Sequence, residues 1–202
     1  MISLEDWEAS KTENRAAAST KGKWIIILRR MGPEKGLFEH NGWTGYKNGF
    51  GSAKENNNYW MGLEKIHQLT SRGSWEVYFS LRHKKGSVKA GAATFICHNF
   101  RVESELAYYR LHINSCGNLM ASTDWWKEYP AAIENLNNAF FSTTDKDNDG
   151  SKNNCAEFLY SAAFWYNNNC LCHKRACWAA PTSSWLFAEA KMAIREVKAG
   201  EI

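Results

Sequence analysis

The chain lacks long hydrophobic runs, a strong excess of either charge, and any visible catalytic signature. No apolar stretch approaches the ~18 residues of a membrane-spanning helix, so membrane insertion through a helix is not expected. Lys and Arg number 25 against 21 Asp and Glu, a net charge of +4, and the isoelectric point is near 8.7. The basic residues are scattered and form no basic helix or repeated aromatic-basic strand, so nucleic acid is not an expected partner. A nucleophile elbow, a phosphate-binding loop and a His-Glu-x2-His helix are all missing, and no enzyme is expected. The lone carboxylates Glu64 and Glu76 fall on faces expected to be solvated. The acidic N-terminus has no apolar signal core. An export signal would then lie upstream in a longer precursor, or the chain is a fragment. Internal repeats, long linkers, coiled coils and collagen-like segments are also missing.

What is present is aromatic. Ten Trp, eight Tyr and ten Phe occur in 202 residues, yet mean hydropathy is −0.52. The rings must therefore be spread among polar residues, which favours a compact α+β or β-rich domain over disorder. A chain of this length forms one domain and buries on the order of 70 % of its unfolded surface. Six cysteines are present, Cys97, Cys116, Cys155, Cys170, Cys172 and Cys177. Cys170, Cys172, His173 and Cys177 have the residue types of a zinc site but lack the paired Cys-x2-Cys knuckles of structural zinc modules. A disulfide from Cys155 to Cys170 or to Cys172 is the favoured alternative. Cys97 and Cys116 read as unpaired, either buried thiols or links between chains.

Residues 1–20 are polar and without a clear period, a helical or frayed lead-in. Residues 24–28, Trp-Ile-Ile-Ile-Leu, are too short and too β-branched for a helix and predict a buried strand. The glycine-rich stretch 41–51 predicts a succession of turns. Apolar residues at steps of three and four predict an amphipathic helix over 59–69. Strict alternation at Trp75, Val77, Phe79 and Leu81 predicts a strand buried on one face. Further strands are expected at 92–97, 100–103 and 107–113, and Met192 and Ile194 alternate as in a returning C-terminal strand. Short strands after one helix predict an antiparallel sheet with flanking helices.

The most informative stretch is Asp145-Lys-Asp147-Asn-Asp149-Gly150-Ser151-Lys-Asn153-Asn-Cys155. Alternating carboxylates before a glycine suit a hard cation such as calcium (Ca2+), which takes six to eight oxygen ligands. An EF-hand fails, because its twelfth position would be Ala156 and Glu157 lies one residue too far. A solvated acidic turn is the plain alternative, since Asp, Asn and Gly are turn formers.

The chain resembles the fibrinogen-related domain, the C-terminal module of fibrinogen chains, ficolins, tachylectins and angiopoietin-like proteins. The resemblance is carried by Gly22-Lys-Trp24 with Arg29-Arg30, by Trp43-x2-Tyr46-x2-Gly49-Phe-Gly51, and by Tyr59-Trp60-Met-Gly-Leu63. It continues through Phe100-x-Val102-x-Ser104-Glu105, Gly117-Asn118, the acidic loop with Cys155-Ala-Glu157, and Phe164-Trp165-Tyr166-Asn167. It implies an α+β fold, with a central antiparallel sheet flanked by helices and a loop-rich lobe holding calcium and a ligand pocket. Residues 1–21 would precede a single domain over 22–202, truncated in its N-terminal part and again after His173.

The resemblance also implies a ligand set: the side chains of Asp147 and Asp149 with the carbonyls of Ser151 and Asn153, Asp145 being only a neighbour. Such a set makes a weak site of about 10⁻⁴–10⁻³ M, sufficient outside a cell. Cys172-His173 resembles the family's Cys-His pair beside the pocket, often held cis; otherwise His173 is an ordinary surface histidine. Tyr160 would stand in where Leu159 offers little hydrogen bonding. The leading functional expectation is a secreted, calcium-dependent lectin-like module. It would bind acetylated carbohydrates such as N-acetylglucosamine in innate immune recognition or adhesion. The alternative is a protein-interaction or receptor-binding domain without sugar binding, which the lost stretch after His173 favours. Oligomerisation would come from an upstream stalk.

Overall fold

The β-branched run 25–27 opens β1 (Ile25–Met31), whose residues 26–30 are buried. The computed structural model describes residues 23–32, 36–54, 57–83, 91–122, 124–158, 162–170, 172–173, 176–177, 180–182 and 187–198. The lead-in 1–21 lies outside them. After β1 come helix α1 (Trp43–Asn48), two short strands β2 (Phe50–Gly51) and β3 (Tyr59–Trp60), and helix α2 (Leu63–Thr70). Two long strands follow, β4 (Ser74–His83) and β5 (Ala92–Val102), then β6 (Leu111–Ala121). The second half adds α3 (Asp124–Lys127), α4 (Tyr129–Glu134), β7 (Phe140–Ser142), α5 (Cys155–Phe158) and β8 (Phe164–Tyr166). It closes with the two-residue strands β9 (Cys172–His173) and β10 (Ala176–Cys177), and with β11 (Phe187–Val197).

Seven strands form one antiparallel sheet in the order β2-β3-β1-β11-β4-β5-β6. The C-terminal strand β11 sits near its middle, with Met192 between Leu28 of β1 and Phe79 of β4. The main core lies on one face, where Ile27, Val77, Phe79, Phe95 and Met192 meet the aromatics of the second half. A smaller cluster of Trp24, Ile26, Tyr78, Ile96 and Ala193 covers the other face. β4 is therefore buried on both faces, not one. Glu76 is buried rather than solvated and pairs with Arg195 at 2.6 Å. Glu64 is half-buried and accepts the Tyr109 hydroxyl at 3.0 Å.

Several local expectations yield to tertiary contacts. Residues 43–48 are helical rather than a run of turns, because Trp43 and Tyr46, three apart, share a buried face. Such burial overrides weak local propensity. Tyr59 and Trp60 form a strand, since Trp60 pairs with both Leu28 and Phe50. The helix starts only beyond Gly62, which has φ 100° and an absent Cβ whose place lies 2.7 Å from the Asn48 carbonyl oxygen. Strands 92–97 and 100–103 are one bulged strand, its register slipping between His98 and Arg101. No strand passes through 107–110: Glu105–Ala107 is a 3₁₀ turn, and Tyr108 and Tyr109 are left-handed. Cys97 and Cys116 are not unpaired. They lie on neighbouring strands, where Ile96 opposes Gly117, and are joined by a disulfide.

Candidate functional site

β7 and β8 pair antiparallel, Phe141 opposite Trp165, and the segment between them carries the acidic loop. The loop's base is aromatic. Phe141 meets Trp165 edge-on at 5.1 Å and stacks on Trp60 at 6.1 Å. The indole N–H groups of this cluster are satisfied, Trp60 by the Tyr46 carbonyl and Trp165 by the Tyr109 carbonyl, both at 2.7 Å. Buried indoles need such partners. The platform joins the sheet to the loop.

Thr143 and Lys146 exchange backbone hydrogen bonds of 2.9 and 3.2 Å, making a tight turn with Asp145 at its tip. Asp145 faces the first half of the chain. It accepts the Trp43 N–H at 2.9 and 3.2 Å and the Thr143 hydroxyl at 2.5 Å. Burial raises its pKa, but the bonds from Thr143 and Trp43 outweigh that and hold it below the usual range. Lys146 Nζ lies 3.9 Å from the centre of the Trp43 ring, and Glu105 accepts Trp43 Nε1 at 2.8 Å and Lys47 Nζ at 2.5 Å. Helix α1 is thereby fastened to the acidic loop.

Asp147 and Asp149 take no part in that anchor. Asp149 is 4 % exposed, accepting the N–H of Ser151 at 2.7 Å and of Cys155 at 2.8 Å. Asp147 is exposed and accepts the Asp149 N–H at 3.2 Å. Burial raises the pKa of Asp149 most; the Cys155 and Ser151 N–H groups lower it, and the charge of Asp147 raises it again. Gly150 between them and Ser151 has φ 73°, a turn conformation that glycine adopts freely. Asn154 ends the loop: its Oδ1 caps α5 by accepting Ala156 N–H at 2.9 Å, and its Nδ2 donates to the Thr143 carbonyl at 3.0 Å.

This donor set fits a hard cation. Two carboxylates two residues apart carry repelling charge, one of them buried, and a divalent ion would offset both. Among the described residues no group of three or more His, Cys, Asp or Glu side chains is placed to share a metal. A cation here would therefore rest on Asp147, Asp149 and backbone oxygens such as those of Ser151 and Asn153.

The cysteines settle the open pairing. Cys155 pairs with Cys170, not Cys172, which also removes Cys170 from a zinc set. Cys172 and His173 form β9, with Cys172 opposite Cys177 and His173 opposite Ala176. No peptide bond among the described residues is cis, Cys172-His173 included. Tyr160 lies outside the described residues. Sequence pattern does not mark Trp43 and Glu105 as partners of the loop. Nothing local distinguishes them, whereas Asn154 three residues before Glu157 is a helix-start signature.

Residues 15–183 match the family model described as fibrinogen beta and gamma chains, C-terminal globular domain. The protein belongs to this family. Chicken tenascin is 31 % identical over 157 residues, 78 % of this chain and 8 % of that protein. Mouse angiopoietin-related protein 6 is 34 % identical over 150 residues, 74 % of this chain and 28 % of that protein. The sequence thus spans a minor part of these relatives. Among solved structures, the fibrinogen-like globe domain of human ANGPTL6 superposes with a TM-score of 0.65 at 26 % identity, covering 90 % of this chain and 81 % of that one. A lamprey fibrin D-dimer complexed with the peptide Gly-His-Arg-Pro-amide has a TM-score of 0.61 at 19 % identity, with coverage of 89 % and 64 %. The last likeness is of fold alone. Together they make the sheet and acidic-loop lobe a fibrinogen-type globe, in a family that includes recognition modules.

Proposed function

We propose that this fibrinogen-type globe is a calcium-braced recognition module acting outside the cell, with a segment of another protein as its ligand. The carrying observation is the buried carboxylate of Asp149 beside Asp147, in a loop anchored through Asp145 to α1. Calcium supplies charge neutralisation and rigidity to that loop. Asp147 and Asp149 hold it with the carbonyls of Ser151 and Asn153, while Asp145 keeps its place on Trp43. Two disulfides support an oxidising compartment. This is a binding module, not an enzyme.

A protein ligand is favoured by the surface flanking the loop. Leu106 is 95 % exposed beside Glu105, Tyr108 is 45 % exposed under Lys146, and Phe158 is 64 % exposed at the end of α5. Exposed aromatic and aliphatic anchors are the material of protein interfaces. A second reading, acetylated carbohydrate such as N-acetylglucosamine, rests on the Cys172-His173 pair that follows the loop.

One experiment separates these readings. The disulfide-bonded protein is melted with and without millimolar calcium, and its binding of the peptide Gly-His-Arg-Pro-amide, the ligand in the lamprey fibrin complex, is challenged with chelator and with N-acetylglucosamine. A calcium-dependent rise in Tm, with peptide binding insensitive to the sugar, supports the protein reading. Competition by N-acetylglucosamine selects the carbohydrate reading, and a melt indifferent to calcium removes the brace.

A further inference from the structure

The seven-stranded sheet is closed on both faces, yet the described helices cover only one of them. α1, α2, α3 and α4 place Trp43, Leu63, Trp126 and Ile133 in the main core, and α5 adds Cys155. The opposite, outer face carries the separate cluster of Trp24, Ile26, Tyr78, Ile96 and Ala193, with Tyr59 packed against it. Every member lies on a strand or, for Trp24, just before one. A sheet's own side chains stand up from its face and leave their tips to water unless another layer covers them. Here the tips are dry. Trp24 and Tyr78 are each 2 % exposed, Ala193 is 1 % exposed, and the charged Lys191 only 4 %.

The face sets the chemistry of its cover. The rings of Trp24 and Tyr78, 5.7 Å apart, call for apolar side chains above them. The register of the strands calls for acidic ones. Arg29 lies opposite Lys191 between β1 and β11, and Arg29 donates to the carbonyls of Asn57 and Ser52, which leave its charge in place. Arg82 and Arg195 share this face through their alternation with Tyr78 and Ala193. Its carboxylates near the cluster are Glu76, which pairs with Arg195, and Glu189, which pairs with Arg82. Fixed positive charge therefore exceeds negative where water is excluded, and an acidic partner lowers that cost.

We propose that the start of the chain, residues 2–8, is this cover: Ile2, Leu4 and Trp7 lie over the apolar cluster, and Glu5, Asp6 and Glu8 over its cations. Residues 1–21 lie outside the described residues, so the assignment rests on the face they meet. The chain enters β1 through Trp24, itself a member of the cluster, so the preceding residues set out from this face. Even at a helical rise of about 1.5 Å per residue, the stretch from Trp7 to Trp24 reaches about 25 Å. Crossing from β1 over β11 and β4 to β5 needs roughly 14 Å. The first ten residues hold Glu5, Asp6 and Glu8 and no Lys or Arg. The β4–β5 connection, residues 84–90, has the opposite sign, with Lys84, Lys85 and Lys89. The outer face is thereby an internal contact, and recognition is left to the surface around the acidic loop. The proposal goes beyond the recognition reading and does not depend on calcium.

The test is NMR on the intact, disulfide-bonded protein, with and without calcium. Nuclear Overhauser contacts from the side chains of Leu4 and Trp7 to the methyl groups of Ile26 and Ile96 are expected, with Trp7 assigned through Trp7→Phe. A sample mixing labelled with unlabelled protein reports whether they arise within one molecule. Leu4→Glu combined with Trp7→Glu should remove the contacts, lower Tm by about 5 °C and raise the fluorescence of a hydrophobic dye several-fold. Contacts found only between molecules would make a second copy the occupant and overturn the proposal, as would contacts to Ile26 and Ile96 from residues 84–90. A folded double variant with unchanged Tm and dye fluorescence would also overturn it. If that variant does not fold, the parent protein still decides, because no contact from residues 2–8 to Ile26 or Ile96 sinks the proposal.

Discussion

The carboxylate of Asp145 accepts the backbone N–H of Trp43, 102 residues away in sequence, at 2.9 and 3.2 Å. This contact divides the acidic loop into two jobs. Asp145 fastens the loop to α1 and so to the sheet, while Asp147 and Asp149, the proposed cation ligands, take no part in that contact. Glycine at position 42 makes the contact possible, since a Cβ there would lie 2.3 Å from Asp145 Oδ2.

Gly42→Ala should therefore destabilise the fold by about 1–3 kcal/mol, the usual cost of forced overpacking. Denaturant unfolding would show this as a lower midpoint with an unchanged slope. An unaltered midpoint would mean that the turn relaxes at no cost.

Calcium should raise Tm in proportion to the logarithm of its concentration above Kd, because it binds only the folded loop. Asp149→Asn and Asp147→Asn should abolish that rise. Asp145→Asn should lower the starting Tm yet retain the calcium increment. Equal loss of the increment in all three variants would contradict the division of roles.

The two disulfides should differ in consequence. Cys155 and Cys170 close a separation of 15 residues, worth about 3 kcal/mol in the chain-entropy model. Cys97 and Cys116 close 19, with a comparable contribution of about 3 kcal/mol. Replacing either pair by alanine should lower the unfolding midpoint. Only the Cys155/Cys170 replacement should also weaken calcium binding, measured by isothermal titration, because the backbone N–H of Cys155 holds Asp149.

Acid should loosen the Trp43 anchor. The hydrogen bond from Lys47, then that from Trp43, lowers the pKa of Glu105. A carboxylate with a depressed folded pKa contributes stability above its unfolded pKa and loses it as pH falls through the folded one. The loss should thus begin below about 4.3, the ordinary glutamate value. Stability should fall less steeply with acid in Glu105→Gln than in the parent protein. Parallel curves for the two proteins would show that Glu105 is uncoupled from folding.

Legibility in the sequence tracks the range of the interaction. β1 and β4 are visible because β-branching and alternation are local signals, and β11 is visible through Met192 and Ile194. The 59–69 helix is misplaced at its start because Trp60 obeys two strand partners that no local period contains. In the same way Tyr108 and Tyr109, apolar enough for a strand, are left-handed and lie outside one. At the candidate site, Asp147 and Asp149 are legible as a pattern of hard donors. Trp43 and Glu105 are not, since each belongs to the site only after the protein has folded.

The sequence by itself determined the family and the antiparallel α+β class, and marked the acidic loop as a run of hard oxygen donors, because these reside in residue types and short spacings. Only the tertiary structure decided that Cys155 takes Cys170 and that Cys97 takes Cys116. It also decided that residues 43–48 coil into a helix, and that Asp145 belongs to the scaffold. The physical reason is the same throughout. Local propensities are worth fractions of a kcal/mol per residue, whereas burying a tryptophan or pairing a buried carboxylate is worth more, and those partners lie far apart in the sequence.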